Sequence, residues 1–168
     1  LSSFEGRITL DGINLTPNAL NLKKDIGFHI ENTPVYEFLT GYEYISIIAK
    51  YKGVKKEDTF LDSIWPLGMD DYKSNKIKTY SQGMKQKLGI LSSTLTNYKL
   101  ILLDEPHNSL DPTSIIELRN YILGLRDKGS TIVLSSHSVS EVIRLCDYVL
   151  ILENGKVKDI IRKDKFRF

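Results

Sequence analysis

The sequence predicts an α/β fold, a mostly parallel sheet into which a helical segment is inserted. Leu100–Leu103 and Thr131–Leu134 are short, wholly apolar or β-branched runs, as expected of parallel strands covered on both faces. Between them, Ile115, Leu118, Ile122 and Leu125 recur at helical spacing, so strand and helix alternate. From about Asn32 to Thr96 the texture is helical and no alternating strand pattern appears.

The elements follow in order. Gly6–Leu15 reads as a hairpin in which Arg7–Leu10 and Ile13–Leu15 flank Asp11-Gly12, a dipeptide suited to a tight turn. Asp25–Ile30 is a short strand. The helical segment carries aromatic residues at Tyr36, Phe38, Tyr42, Tyr44 and Tyr51. Ser81 is placed to cap a helix with an apolar stripe of Met84, Leu88, Leu91 and Leu95. Asp111 and Pro112 supply an N-cap and a first-turn proline, and Ser138 with Glu141 forms a capping-box pattern. Tyr148–Leu152, a turn at Asn154-Gly155 and Lys156–Ile161 close the chain as a hairpin. The expected division is 1–31 as one part of the core, 32–96 as a helical subdomain and 97–168 as the rest of the core.

Composition narrows the function classes. With 168 residues and 41% hydrophobic content, the chain can bury one core and a small subdomain. A net charge of +2 argues for neither nucleic acid nor an anionic membrane surface. No apolar run approaches the roughly 18 residues that span a bilayer, so a membrane connection has to come through a partner. The single cysteine, Cys146, excludes an internal disulfide, and its apolar surroundings fit a buried, inert thiol. The chain starts at Leu1 and enters structured sequence at once, which leads us to expect an N-terminal truncation.

Three local patterns carry chemistry. Leu100-Ile101-Leu102-Leu103-Asp104-Glu105-Pro106 delivers two adjacent carboxylates to the C-terminal end of a strand, where ligands of open α/β sheets bind. Mg²⁺ needs only one or two protein carboxylates, which suits Asp104, and Glu105 could accept a proton from an attacking water. The run alone also fits a strand that ends in solvated acids. Tyr80-Ser81-Gln82-Gly83-Met84 opens a helix whose free N–H groups and serine hydroxyl make an anion site, although an ordinary capped helix has the same pattern. Ser135-Ser136-His137 follows the second strand at the same end of the sheet, where a histidine can contact a phosphate or simply cap a loop.

In order and register, these motifs resemble the nucleotide-binding domain of ABC transporters, from the first hairpin to the last. The family's signature helix matches Ser81, Gln82 and Gly83, its acidic strand Asp104 and Glu105, its D-loop Ser109-Leu110-Asp111, and its switch histidine His137. Two departures, Tyr80-Ser81-Gln82-Gly83-Met84 for the usual Leu-Ser-Gly-Gly-Gln and Glu31 for the usual glutamine, look like the branch serving bacitracin and lantibiotic-immunity exporters.

The resemblance implies a P-loop NTPase-type sheet and a head-to-tail pair of such domains, in a homodimer or heterodimer. Ser81, Gln82, Gly83 and Asp111 would then bind ATP, Asp104 and Glu31 would hold Mg²⁺ as well as nucleotide, and Glu105 and His137 would be catalytic. It also implies a polytopic permease partner at the cytoplasmic face of a membrane, docking on the segment after Glu31, and no nucleic acid. One family element has no counterpart here. No Gly-x-x-x-x-Gly-Lys-Ser/Thr occurs, since the Gly155-Lys156 pair has Leu150 where the first glycine belongs. The expectation is a chain that lacks the family's N-terminal strands and phosphate loop, exposes apolar sheet surface, and is catalytically silent by itself.

Overall fold

A computed structural model describes residues 6–14, 16, 20–54 and 65–166. Thr9–Leu10 (β1) and Ile13–Asn14 (β2) pair antiparallel, and both turn residues, Asp11 at φ 50° and Gly12 at φ 78°, are left-handed as the tight turn requires. The strands are shorter than the sequence suggested; Arg7 and Ile8 lie outside them, and Leu15 lies outside the described residues. A short helix, Leu20–Lys23 (α1), leads into Ile26–His29 (β3).

β3, Leu100–Leu103 (β4) and Thr131–Leu134 (β5) form a parallel sheet in the order β3-β4-β5. The register places Phe28 beside Leu102 and Leu102 beside Val133, with His29, Leu103 and Leu134 one step further along. Side chains alternate across this sheet. His29, Ile101 and Leu103 are buried on one face, together with Leu88, Ile90 and Leu91 of the core, whereas Phe28 (61% exposed) and Val133 (55%) lie on the other. The expectation of cover on both faces is therefore corrected: among the described residues, one face carries an open apolar row.

Gly41–Tyr51 (α2) and Gln82–Ser93 (α3) build the helical region with a 3₁₀ turn at Ile77–Thr79. α2 starts with a complete capping box, since Thr40 accepts from Glu43 N and Glu43 Oε2 accepts from Thr40 N at 2.7 Å. Trp65, Met69 and Ile77 are fully buried there. No strand occurs among the described residues from 32 to 96, only an isolated bridge between Thr40 and Lys76. α3 stops at Ser93, before Leu95, because Thr94 turns back to cap it.

Pro112–Asp127 (α4) follows β4 with Asp111 as N-cap, and Leu118, Ile122 and Leu125 of the predicted stripe are buried. Val139–Leu145 (α5) departs from expectation at its start. Ser138 makes no side-chain cap, and Glu141 instead receives three bonds from the Arg119 guanidinium of α4, at 2.7–3.0 Å. A buried guanidinium–carboxylate fork outcompetes a single cap bond. Tyr148–Glu153 (β6) and Lys156–Arg162 (β7) form the closing hairpin, with Asn154 and Gly155 both left-handed. Cys146 is half-buried, not buried as expected; burial, aided by Asp147, pushes its thiol pKa up.

Candidate functional site

The two parallel strands β4 and β5 end side by side, and the residues that follow them meet. Asp104 N donates to His29 O at 3.0 Å, and Ser135 N donates to Leu103 O at 2.9 Å, so the ladder carries the chain into the site. Ser135 Oγ donates to Asp104 Oδ1 at 2.6 Å and accepts from Glu105 N at 2.9 Å. Glu105 adopts φ 43°, a left-handed conformation that is costly for a side chain other than glycine. Its carboxylate Oε2 lies 3.0 Å from His137 Nδ1, with His137 well exposed to solvent. Asp104, Glu105 and His137, read separately from the sequence, are thus brought together.

The first turn of α3 packs against the segments that flank this group, at Asn32 and Ser109. Ser81 caps the helix through Met84 N at 3.2 Å, while Met84 Sδ takes the place of the carboxylate of a capping box. Gly83 permits a close approach, as expected, but from the chain's own backbone: a Cβ there would lie 2.6 Å from Ser109 O. Gln82 Nε2 donates to Asn32 Oδ1 at 2.6 Å, tying the helix to the segment after β3. Further along α3, the buried Gln86 donates to Glu105 O at 3.2 Å.

Glu31 receives a 2.7 Å bond from Asn108 Nδ2 in the loop after β4. Asp111 is occupied as a helix cap; bonds from the Ser114 hydroxyl and N–H hold its carboxyl below the usual range. Beneath the site His29 is fully buried, and desolvation lowers its pKa to about 4 against the opposing pull of Gln86 and Asp104. His107 is also buried with both ring nitrogens unpartnered, and desolvation lowers its pKa as well.

Among the described residues no group of three or more His, Cys, Asp or Glu side chains forms a metal cage. Asp104 and Glu31 each accept a hydrogen bond through one carboxylate oxygen, Oδ1 from Ser135 and Oε1 from Asn108. Such separate carboxylates fit Mg²⁺, which takes one or two from protein and completes its octahedron with phosphate and water. Beside them a cleft of about 350 Å³ is lined by Asn32, Thr33, Val35, Gln82, Lys85 and Gln86. Tyr36 and Phe38, 61% and 70% exposed, stand near its rim as a tilted pair, while Tyr44 is buried and Tyr42 stacks on Trp65.

The sequence pattern gave Ser135 no role of its own beside His137, and none to Gln86, Asn108 or Asn32. Only the strand register could have flagged Ser135, since it follows β5 at the level where Asp104 follows β4.

Comparison with known proteins agrees with this architecture. The family model described as "ABC transporter" matches residues 1–108. Over 159 residues the chain is 39% identical to the uncharacterized ABC transporter ATP-binding protein YhcH of Bacillus subtilis, covering 93% of this chain and 52% of that protein. It is 36% identical to the lantibiotic transport ATP-binding protein SrtF of Streptococcus pyogenes, covering 94% and 67%. It is 35% identical to the bacitracin transport ATP-binding protein BcrA of Enterococcus faecalis, covering 90% and 49%. The chain thus spans about half to two thirds of the length of these relatives. A solved structure of an ATP-binding subunit of an ABC transporter superposes with a TM-score of 0.81 at 29% identity, covering 95% of this chain and 68% of that one. With fold, motif order and relatives in agreement, the chain belongs to the ATP-binding proteins of the ABC transporter family.

Proposed function

We propose that the chain is all or part of an ATP-binding and hydrolysing subunit of an exporter that confers resistance or immunity to antimicrobial peptides. The convergence of Asp104, Glu105 and His137 at the ends of β4 and β5 carries this reading. The lantibiotic and bacitracin transport proteins among the relatives support the substrate class.

In this reading Asp104 and Glu31 hold Mg²⁺, which neutralises phosphate charge when bound with ATP. Glu105 orients the attacking water and accepts its proton, and His137 fixes the carboxylate that does so. Ser81, Gln82 and Gly83 present the N-terminus of α3 to a nucleotide held by a second, paired domain. Asp111 acts through the loop it terminates, because both its oxygens are engaged by Ser114. The cleft between Asn32–Val35 and α3, with Tyr36 and Phe38 beside it, receives a permease helix at the cytoplasmic face of the membrane. The division into 1–31, 32–96 and 97–168 belongs to the same proposal.

The test is ATPase activity in a chain that carries this sequence behind a phosphate-loop segment from the same gene or a relative, with Glu105→Gln as control. Undiminished hydrolysis in that variant would show the base to be misassigned. A second reading is a partner that offers only Ser81–Gly83 to a complete subunit. Hydrolysis that appears only on mixing with a complete subunit, and is lost in Gly83→Asp, supports the second reading over the first.

A further inference from the structure

We infer that Ser135 is a positioning residue for the acidic pair, its one hydroxyl orienting the Asp104 carboxylate while holding the Glu105 peptide left-handed. The inference rests on the reading of Asp104 as metal holder and Glu105 as base. A serine hydroxyl has one proton to give and lone pairs to accept with. The carboxylate at 2.6 Å can only accept and the amide at 2.9 Å can only donate, so both roles of Ser135 Oγ are fixed.

The placement follows from the sheet. Leu103 pairs with Leu134, and Ser135 N bonds to Leu103 O, so the residue after β5 is locked beside the residue after β4. Consecutive residues leaving a regular strand project to opposite faces. At φ 43° the chain bends, and the Glu105 side chain reaches His137 instead. A non-glycine residue keeps such a conformation only where its surroundings hold it. Here the holding groups are Ser135 Oγ at the amide of Glu105, and Gln86 Nε2 with the Asn108 N–H at its carbonyl, so the residue is held on both sides of its Cα. Ser135 is exposed, so its truncation opens no cavity and its bonds are what is lost.

The test uses isotope-labelled full chain in solution. Ser135→Ala is expected to speed hydrogen exchange at the Glu105 amide about tenfold, the loss of one hydrogen bond. The same variant weakens the broadening that Mn²⁺ induces around Asp104 about fivefold, and Ser135→Thr, which keeps the hydroxyl, restores both. The amides of Ile101 and Leu103 keep their protection in both variants, which a general loosening would not allow. Glu105 exchange in Ser135→Ala equal to that of the unaltered chain overturns the inference. Asp104→Asn separates the two readings. If Mn²⁺ broadening survives that change while Glu105 exchange still depends on Ser135, the metal assignment fails and the positioning role stands. If Asp104→Asn abolishes the broadening and Ser135→Ala changes nothing, the reverse holds.

Discussion

Glu105 Oε2 and His137 Nδ1 lie 3.0 Å apart, joined across the ends of two neighbouring parallel strands. The pair explains why a histidine exposed to solvent has a defined place. In a hydrolysing assembly, Glu105→Gln should lower kcat by roughly 10²–10⁴-fold, the contribution of a positioned general base, with nucleotide binding retained. Single-turnover kinetics beside a binding titration separate the two effects.

The 168-residue chain by itself should show no saturable micromolar binding of MgATP and no turnover, because positioning and charge stabilisation by a phosphate loop are missing from it. Titration with a fluorescent ATP analogue checks this, and micromolar affinity with hydrolysis would refute it.

Arg119 and Glu141 form a largely buried fork between α4 and α5, with side chains 18% and 10% exposed. Arg119→Met leaves a buried carboxylate unpaired and should cost about 3–5 kcal/mol. Adding Glu141→Leu should recover most of that loss, since two apolar side chains replace the whole pair. Urea denaturation of the two variants is the measurement.

Gly83→Ala places a methyl group 2.6 Å from Ser109 O, backbone that has little room to yield. The expected cost is about 1–3 kcal/mol, as for overpacking elsewhere, concentrated in the loop before α4. Faster amide exchange at Asn108–Leu110 with unchanged exchange in β5 would locate the effect there.

His29 has a folded pKa of about 4, below its ordinary 6.5, because burial disfavours its charged form. Between those values the unfolded chain binds a proton that the folded chain does not, so stability rises with pH across that window. Stability is lost as pH falls from about 6.5 towards about 4, by on the order of 3 kcal/mol in all. Denaturation midpoints at about pH 7 and about pH 4.5 measure it, and His29→Gln should flatten the difference.

Much of the fold was legible because its signals are local. The apolar runs at Leu100–Leu103 and Thr131–Leu134, the Asp111-Pro112 cap and both left-handed turns depend on residues within a few positions of one another. The candidate site was legible in its ingredients but not in its wiring. Ser135 with Asp104, Asn108 with Glu31 and Gln86 with Glu105 join residues far apart in sequence, and strand register and loop packing set them. The Ser138–Glu141 box failed for the same reason. The local pattern was present, but a more distant arginine offered Glu141 three charge-assisted bonds against one weak cap.

The bond from Gln86 to the Glu105 carbonyl has a thermodynamic corollary. α3 carries Ser81 and Gly83 at its outer end and Gln86 further along, on one rigid helix. An anion that binds the outer end and shifts the helix therefore shifts the grip on Glu105. By linkage, whatever resets Glu105 changes the affinity of the helix end for that anion by the same factor. On the proposed pairing, a nucleotide presented by a neighbouring domain and the carboxylate at the end of β4 would be two readers of a single equilibrium.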